Sequence, residues 1–194
     1  MKKILISLIV LFISFGNKIV ADTTNSIKQI YEGKEDAKIT IITYESLTCG
    51  HCADFHKNVY PQLKKEFIDT GIVKIVFRHF PLDMAALNAS KIAQCNNDGK
   101  STLLHFLFSN QEKWVAGKTV NDVNENLKKL LKDENINIDF EKCTNDKNIE
   151  DYVLNDRIEA IKKFKVNATP TIIINNKKFE KPLNFKNLKN SIEK

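Results

Sequence analysis

The chain has 194 residues, 42% of them hydrophobic, which suits one ordinary domain with a sizeable core and excludes a disordered or fibrous protein. Its formal charge is only +6, and three of the lysines, Lys2, Lys3 and Lys18, precede the first acid, Asp22, leaving +3 for the rest. With Arg78 and Arg157 as the only arginines, bidentate phosphate or base recognition is poorly served, and no nucleic-acid partner is expected.

Met1-Lys2-Lys3 followed by the apolar run Ile4 to Phe15 has the form of an export signal, and Ile19-Val20-Ala21 offers a small residue at the cut. The run is shorter than the ~20 residues that cross a bilayer as a stable helix. Residues 1–21 are therefore expected to be a signal peptide cleaved after Ala21, with an uncleaved anchor as the alternative. Residues 22–36 are polar, carry Gly33, and read as a flexible arm.

The β-branched run Ile39 to Tyr44 predicts a buried strand. It leads to Thr48-Cys49-Gly50-His51-Cys52, which opens a segment of helical spacing from Ala53 to Phe67. With Cys49 at the helix start, Cys52 falls three residues on, on the same side, about 5 to 6 Å away between β-carbons, close enough for a disulfide. Cys49 would have unpaired N–H groups and the positive end of the helix dipole beside it, and His51 could add a charge or a donor. Both favour the thiolate, so Cys49 is the expected nucleophile and Cys52 the resolving thiol. The plainer alternative is two cysteines that pack or ligate a structural metal.

Pro61 is expected to kink or restart this helix and Gly71 to end it. Ile72 to Arg78 predicts a second strand, returning parallel to the first through a βαβ crossover. From Asp83 to Phe164 the period becomes helical, in the segments Met84–Asn96, Thr102–Trp114, Val120–Leu131, Phe140–Asn145 and Ile149–Phe164. Val166-Asn167-Ala168-Thr169-Pro170 then opens the strand Thr171–Ile174, which Asn175-Asn176 joins to Lys177–Phe179 as a hairpin, and Phe185–Glu193 closes the chain as a helix.

A strand followed by CGHC, with Thr-Pro before a later strand, resembles the thioredoxin-fold disulfide oxidoreductases. The stretches Thr43-Tyr44-Glu45-Ser46-Leu47-Thr48-Cys49, Phe77-Arg78-His79-Phe80-Pro81-Leu82-Asp83 and Phe140-Glu141-Lys142-Cys143 narrow the resemblance to DsbA-like proteins of α-proteobacterial type, over most of the chain from about Ala37. The resemblance implies an α/β thioredoxin fold with an inserted all-helical subdomain, its first part at 37–82, the insertion at 83–164 and its second part at 165–194. It implies thiol-disulfide exchange in the periplasm through Cys49, Gly50, His51 and Cys52. Reduced exported polypeptides would be the substrates, a DsbB-like membrane protein the reoxidant, and a monomer without cofactor or metal the working form. CGHC also occurs in disulfide isomerases, so an isomerase or reductase stays open, as does a non-redox peptide-binding or metal-binding module.

An X-Pro bond is cis in only ~5 to 6% of cases in folded proteins. The resemblance reverses that expectation at Thr169-Pro170, since such proteins place a cis-proline facing the C-x-x-C pair. Thr169 would then offer backbone to an incoming peptide as an added strand edge and bring its hydroxyl near Cys49. Cys95 and Cys143 fall on different predicted helices. The even cysteine count of an exported chain and similar cysteines in the related proteins point to a structural disulfide, against two free core thiols.

His56 follows Cys52 by four residues and so shares its helical face. A satisfied histidine is the simpler reading, while a metal site with Cys49 and Cys52 would lack a fourth ligand at zinc spacing. His79 and His105 read as structural. Where thioredoxin-fold enzymes commonly carry a buried acid, six residues before the first cysteine, this chain has Thr43. Glu45, two residues on and on the same strand face, either takes over its proton-handling role or is a solvated loop acid.

Overall fold

The computed structural model describes residues 26–194. The signal-peptide reading of 1–21 lies outside the described residues. Five strands form one mixed sheet: β1 (Ile30–Glu32), β2 (Ile39–Glu45), β3 (Val73–His79), β4 (Thr171–Ile174) and β5 (Lys177–Lys178), in the order β1-β3-β2-β4-β5. β2 is central, parallel to β3 in the register Glu45↔His79 and antiparallel to β4 in the register Thr43↔Ile172. The crossover from β2 to β3 is α1, a continuous helical run over residues 50–68.

Two expectations need correction. The arm at 22–36 is not without structure, because Ile30–Glu32 is an edge strand, antiparallel to β3, with Ile30 buried. Three residues are too short for a hydrophobic period to register. The second concerns the helix Thr102–Trp114, which breaks at Asn110 into α3 (Thr102–Ser109) and α4 (Gln111–Trp114).

In α1 the turn Phe55–Val59 is π-helical and Pro61 lies just past it, at the start of the next α-helical turn. A proline has no N–H for the i→i−4 ladder and crowds the carbonyl four residues back, and a locally widened turn relieves both.

The other helices are α2 (Met84–Gln94), α5 (Val120–Asp133), α6 (Phe140–Asn145), α7 (Lys147–Phe164) and α8 (Phe185–Ile192). Side chains alternate across β2, so Ile41, Thr43 and Glu45 share one face of the sheet and Ile42 and Tyr44 the other. The first face packs on Phe55, Leu63 and Phe67 of α1, on Leu188 and Ile192 of α8 and on the helices of the insertion. Leu63 is fully buried there, and its truncation to Ala would cost about 2–5 kcal/mol. On the second face Ala160 and Phe164 of α7 cover Tyr44 and Ile173. Asp156 pins α7 to β3, pairing with Arg78 and accepting from the His79 N–H at 3.0 Å. Asn175 and Asn176 both have positive φ, 46° and 65°, as a two-residue hairpin turn requires. This is the thioredoxin fold, with a helical insertion between β3 and β4.

Candidate active site

Cys49 ends the loop after β2 and is the N-cap of α1, with extended backbone. Its carbonyl accepts the Cys52 and Ala53 N–H groups at 3.1 and 3.2 Å, the first links of the helix, and its own N–H donates to Ser46 O at 3.0 Å. The loop is tied down from two sides. Thr48 Oγ1 donates to Asp83 at 2.8 Å, and Asp83 also caps α2 by accepting from Ala86 N–H at 2.7 Å. From the insertion, Gln111 Nε2 donates to Leu47 O at 2.8 Å and Cys49 O at 3.1 Å. Gln111 carries no motif in sequence, and only the fold brings it to the site.

Both active-site sulfurs are free thiols, Cys49 partly exposed and Cys52 buried. Their acidities are driven apart. A hydrogen bond from Cys52 is the main influence that lowers the Cys49 thiol from 9.0 to about 5, overcoming the opposing effect of burial, with further help from Thr169 and from the Cys52 and His51 backbone N–H groups. Burial pushes Cys52 strongly up, and its bond to Cys49 and the charge of Glu45 add to this. A single proton is thus shared by the pair, and it belongs to Cys52.

The His51 ring is 87% exposed and lies 3.9 Å from Asp54, and its backbone N–H is one of the groups that lower Cys49. A β-carbon added at Gly50 would meet nothing within 4 Å, so this position is sterically open.

Thr169-Pro170 is cis and faces the pair, with the Cys49 sulfur 3.4 Å from Thr169 O. The Thr169 hydroxyl is buried and is one of the groups that lower Cys49. Beside Pro170 a groove of about 580 Å³ runs between His51 and Phe55 of α1 and Leu183 and Phe185 near the C-terminus.

Glu45 is not a solvated loop acid. It is the last residue of β2, 4% exposed, and its Oε2 lies 2.9 Å from His56 Nε2. Thr43, at the position of the missing acid, is fully buried and donates to Val76 O at 3.5 Å. The Nδ1 of His56 meets Nδ1 of His105 at 3.0 Å, so His56 is satisfied at both nitrogens. No grouping of three metal-ligating side chains occurs among the described residues. In the insertion, Cys95 and Cys143 are joined by a disulfide, with Cα atoms 5.5 Å apart.

A family model described as Thioredoxin matches residues 25–194. The chain belongs to the thioredoxin family. Within it the chain is DsbA-like: the crystal structure of Wolbachia pipientis alpha-DsbA1 matches with a TM-score of 0.75 at 33% identity, covering 85% of this chain and 89% of that one. The disulfide bond formation protein D of Bacillus subtilis is 28% identical over 189 residues, 92% of this chain and 82% of that protein. A putative protein-disulfide oxidoreductase of Rickettsia bellii is 29% identical over 147 residues, 74% of this chain but 55% of that protein. The chain therefore spans about half the length of this rickettsial relative.

Proposed function

We propose that the protein is a thiol-disulfide oxidoreductase that introduces disulfides into exported proteins through Cys49 and Cys52. The observation that carries this reading is the divergence of two neighbouring thiols at one helix tip: Cys49 lowered to about 5, Cys52 buried and raised. In the oxidised protein a substrate thiolate attacks the Cys49 sulfur. The Cys49–Cys52 bond breaks, Cys52 leaves with the electron pair and takes up a proton, and a mixed disulfide forms at Cys49. A second substrate thiolate then attacks the substrate sulfur of that bond and expels Cys49 as a thiolate.

The second departure is fast because a low-pKa sulfur is a good leaving group. The same stabilised thiolate favours the reduced protein, which makes its disulfide a strong electron acceptor. Thr169 would hold the substrate chain by its backbone, as an added edge beside β4, with Pro170 and the neighbouring groove receiving its side chains. Glu45, buried against His56 and acting on Cys52 through its charge, would be the acid that serves Cys52. Substrates would be reduced exported polypeptides in the periplasm, and a DsbB-like membrane protein would accept the two electrons and restore the disulfide, with the enzyme acting as a monomer. Among the described residues no helix is long and apolar enough to cross a membrane.

Equilibration with glutathione buffers, with the reduced fraction read after acid quench and alkylation, tests the direction of electron flow. A potential near that of DsbA, about −120 mV, supports an oxidase. One near that of thioredoxin, about −270 mV, would make the protein a reductant.

A further inference from the structure

Cys52 is 0% exposed, yet each catalytic cycle requires it to gain one proton and lose one. It gains a proton when it leaves the disulfide as a thiolate, and gives one up when it attacks to reform the bond. The groove beside Pro170 is where a substrate would lie, so this proton needs a path that a bound polypeptide does not block.

Along α1, Cys52, His56 and Tyr60 recur at intervals of four residues, and His56 and Tyr60 each meet a polar group from outside the helix, while Glu45 acts on Cys52 through its charge when ionised. Glu45 lies at His56 Nε2 at 2.9 Å, and His105 of α3 at His56 Nδ1 at 3.0 Å. The other nitrogen of His105, Nε2, is 2.7 Å from Glu32 Oε1, where Tyr60 OH at 2.7 Å and Ser101 Oγ also donate. Lys64 completes the surroundings of Glu32 with an ion pair at 3.2 Å. The imidazoles are clamped: His56 stacks on Phe108 with ring centroids 4.1 Å apart, and His105 on Tyr60 at 4.4 Å. At the inner end Glu45 Oε1 is buried with no partner among the described residues. At the outer end Glu32 lines a cleft of about 1240 Å³ that shares no lining residue with the groove beside Pro170.

We propose that Glu45, His56, His105 and Glu32 form a proton relay joining the buried Cys52 thiol to solvent in the cleft lined by Glu32. The proposal rests on the reading that Cys49 and Cys52 exchange disulfides. The relay runs outward from the form in which Glu45 is neutral and protonated at Oε2, His56 at Nδ1 and His105 at Nε2, so that one proton lies between each adjacent pair of the four groups. If the proton of Cys52 enters at the free Glu45 Oε1, the proton between Glu45 and His56 passes to His56, that between the histidines to His105, and that between His105 and Glu32 to Glu32. Glu32 then releases it to water. Every imidazole accepts on one nitrogen and donates from the other, so one proton crosses with no displacement of a heavy atom, and the reverse order delivers a proton inward. Burial raises the Glu32 carboxyl, but the hydrogen bonds from His105, Ser101 and Tyr60 prevail and hold it well below the usual carboxylate range.

The test mixes reduced protein with excess oxidised glutathione and follows, by acid quench and mass spectrometry, conversion of the glutathione adduct at Cys49 into the Cys49–Cys52 disulfide. In His105→Ala and in Glu32→Gln the adduct is expected to accumulate and its conversion to slow at least tenfold, a floor set below the roughly 10²- to 10⁴-fold that positioned acid-base groups contribute. Millimolar imidazole is expected to restore the rate of His105→Ala, entering the cavity of about 700 Å³ that His56 and His105 both line, and to leave Glu32→Gln slow. Glu32→Gln preserves side-chain shape, so slowing there is not a packing defect. Wild-type rates in both variants, or a slow His105→Ala that imidazole does not rescue, overturn the relay. A wild-type protein that never forms the adduct overturns the exchange reading and the relay with it.

Discussion

The molecule holds two cysteine pairs, and they differ in where helices end. Cys49 is the N-cap of α1, where unpaired N–H groups and the positive end of the dipole stabilise a thiolate. Cys95 is the C-cap of α2, its N–H donating to Ile92 O at 3.1 Å, and so sits at the negative end, where a thiolate is disfavoured. Its partner Cys143 is 1% exposed within α6. The same element therefore has two uses. One sulfur is partly exposed, shifted toward the thiolate and backed by a cis-proline, while the other pair is already joined, with Cys143 enclosed in apolar packing and Cys95 partly buried against it. The difference lies in the backbone groups that surround each sulfur.

The comparison fails most visibly if the two active-site sulfurs can be interchanged. Cys49→Ala is expected to abolish oxidation of a reduced peptide, whereas Cys52→Ala is expected to accumulate mixed disulfides that non-reducing gels resolve. A Cys49→Ala protein that still oxidises peptide would mean that the nucleophile lies elsewhere. The other pair should affect stability and leave exchange in place. Its sequence separation of 48 corresponds to about 4 kcal/mol in the chain-entropy model. Replacing Cys95 and Cys143 together by Ala should accordingly lower unfolding free energy by about 2–4 kcal/mol in urea melts, with peptide oxidation retained. Loss of exchange in that double variant would join what the structure separates.

The smallest effect concerns pH. A thiol whose folded pKa is about 5 against 9.0 contributes stability that is fully present above about 9 and is lost as pH falls through about 5. Each unit of that span amounts to at most ~1.4 kcal/mol, discounted because the sulfur is partly exposed. Reduced wild type compared with Cys49→Ala should hence gain about 1–2 kcal/mol between pH 5 and pH 8 in urea melts. A difference independent of pH would remove the ionised sulfur from which the proposed chemistry follows.

The legible parts of the chain were those with strong local signals. Ile39 to Tyr44 shows β-branched continuity, CGHC stands between a strand and a helical period, and Asn175-Asn176 marks a tight turn, and each reappears in the fold within a residue or two. Glu32 was not legible, because three strand residues in a polar stretch make no pattern and the edge position depends on β3. Nor was His105: alone on an apolar helix it reads as structural, and only the packing of α3 against α1 brings it to His56. Glu45 was suspected from strand alternation, but its burial depends on the same packing.

By itself the sequence determined most elements from β2 onward and the placement of a C-x-x-C pair at a helix start, because helix ends, turns and hydrophobic periods are encoded by near neighbours. The tertiary structure alone decided which sulfur keeps the proton, what holds the loop around it and how Glu32, Glu45, His56 and His105 come into line. Those outcomes depend on burial and on hydrogen bonds between residues 11 to 120 positions apart, and no local pattern carries that information.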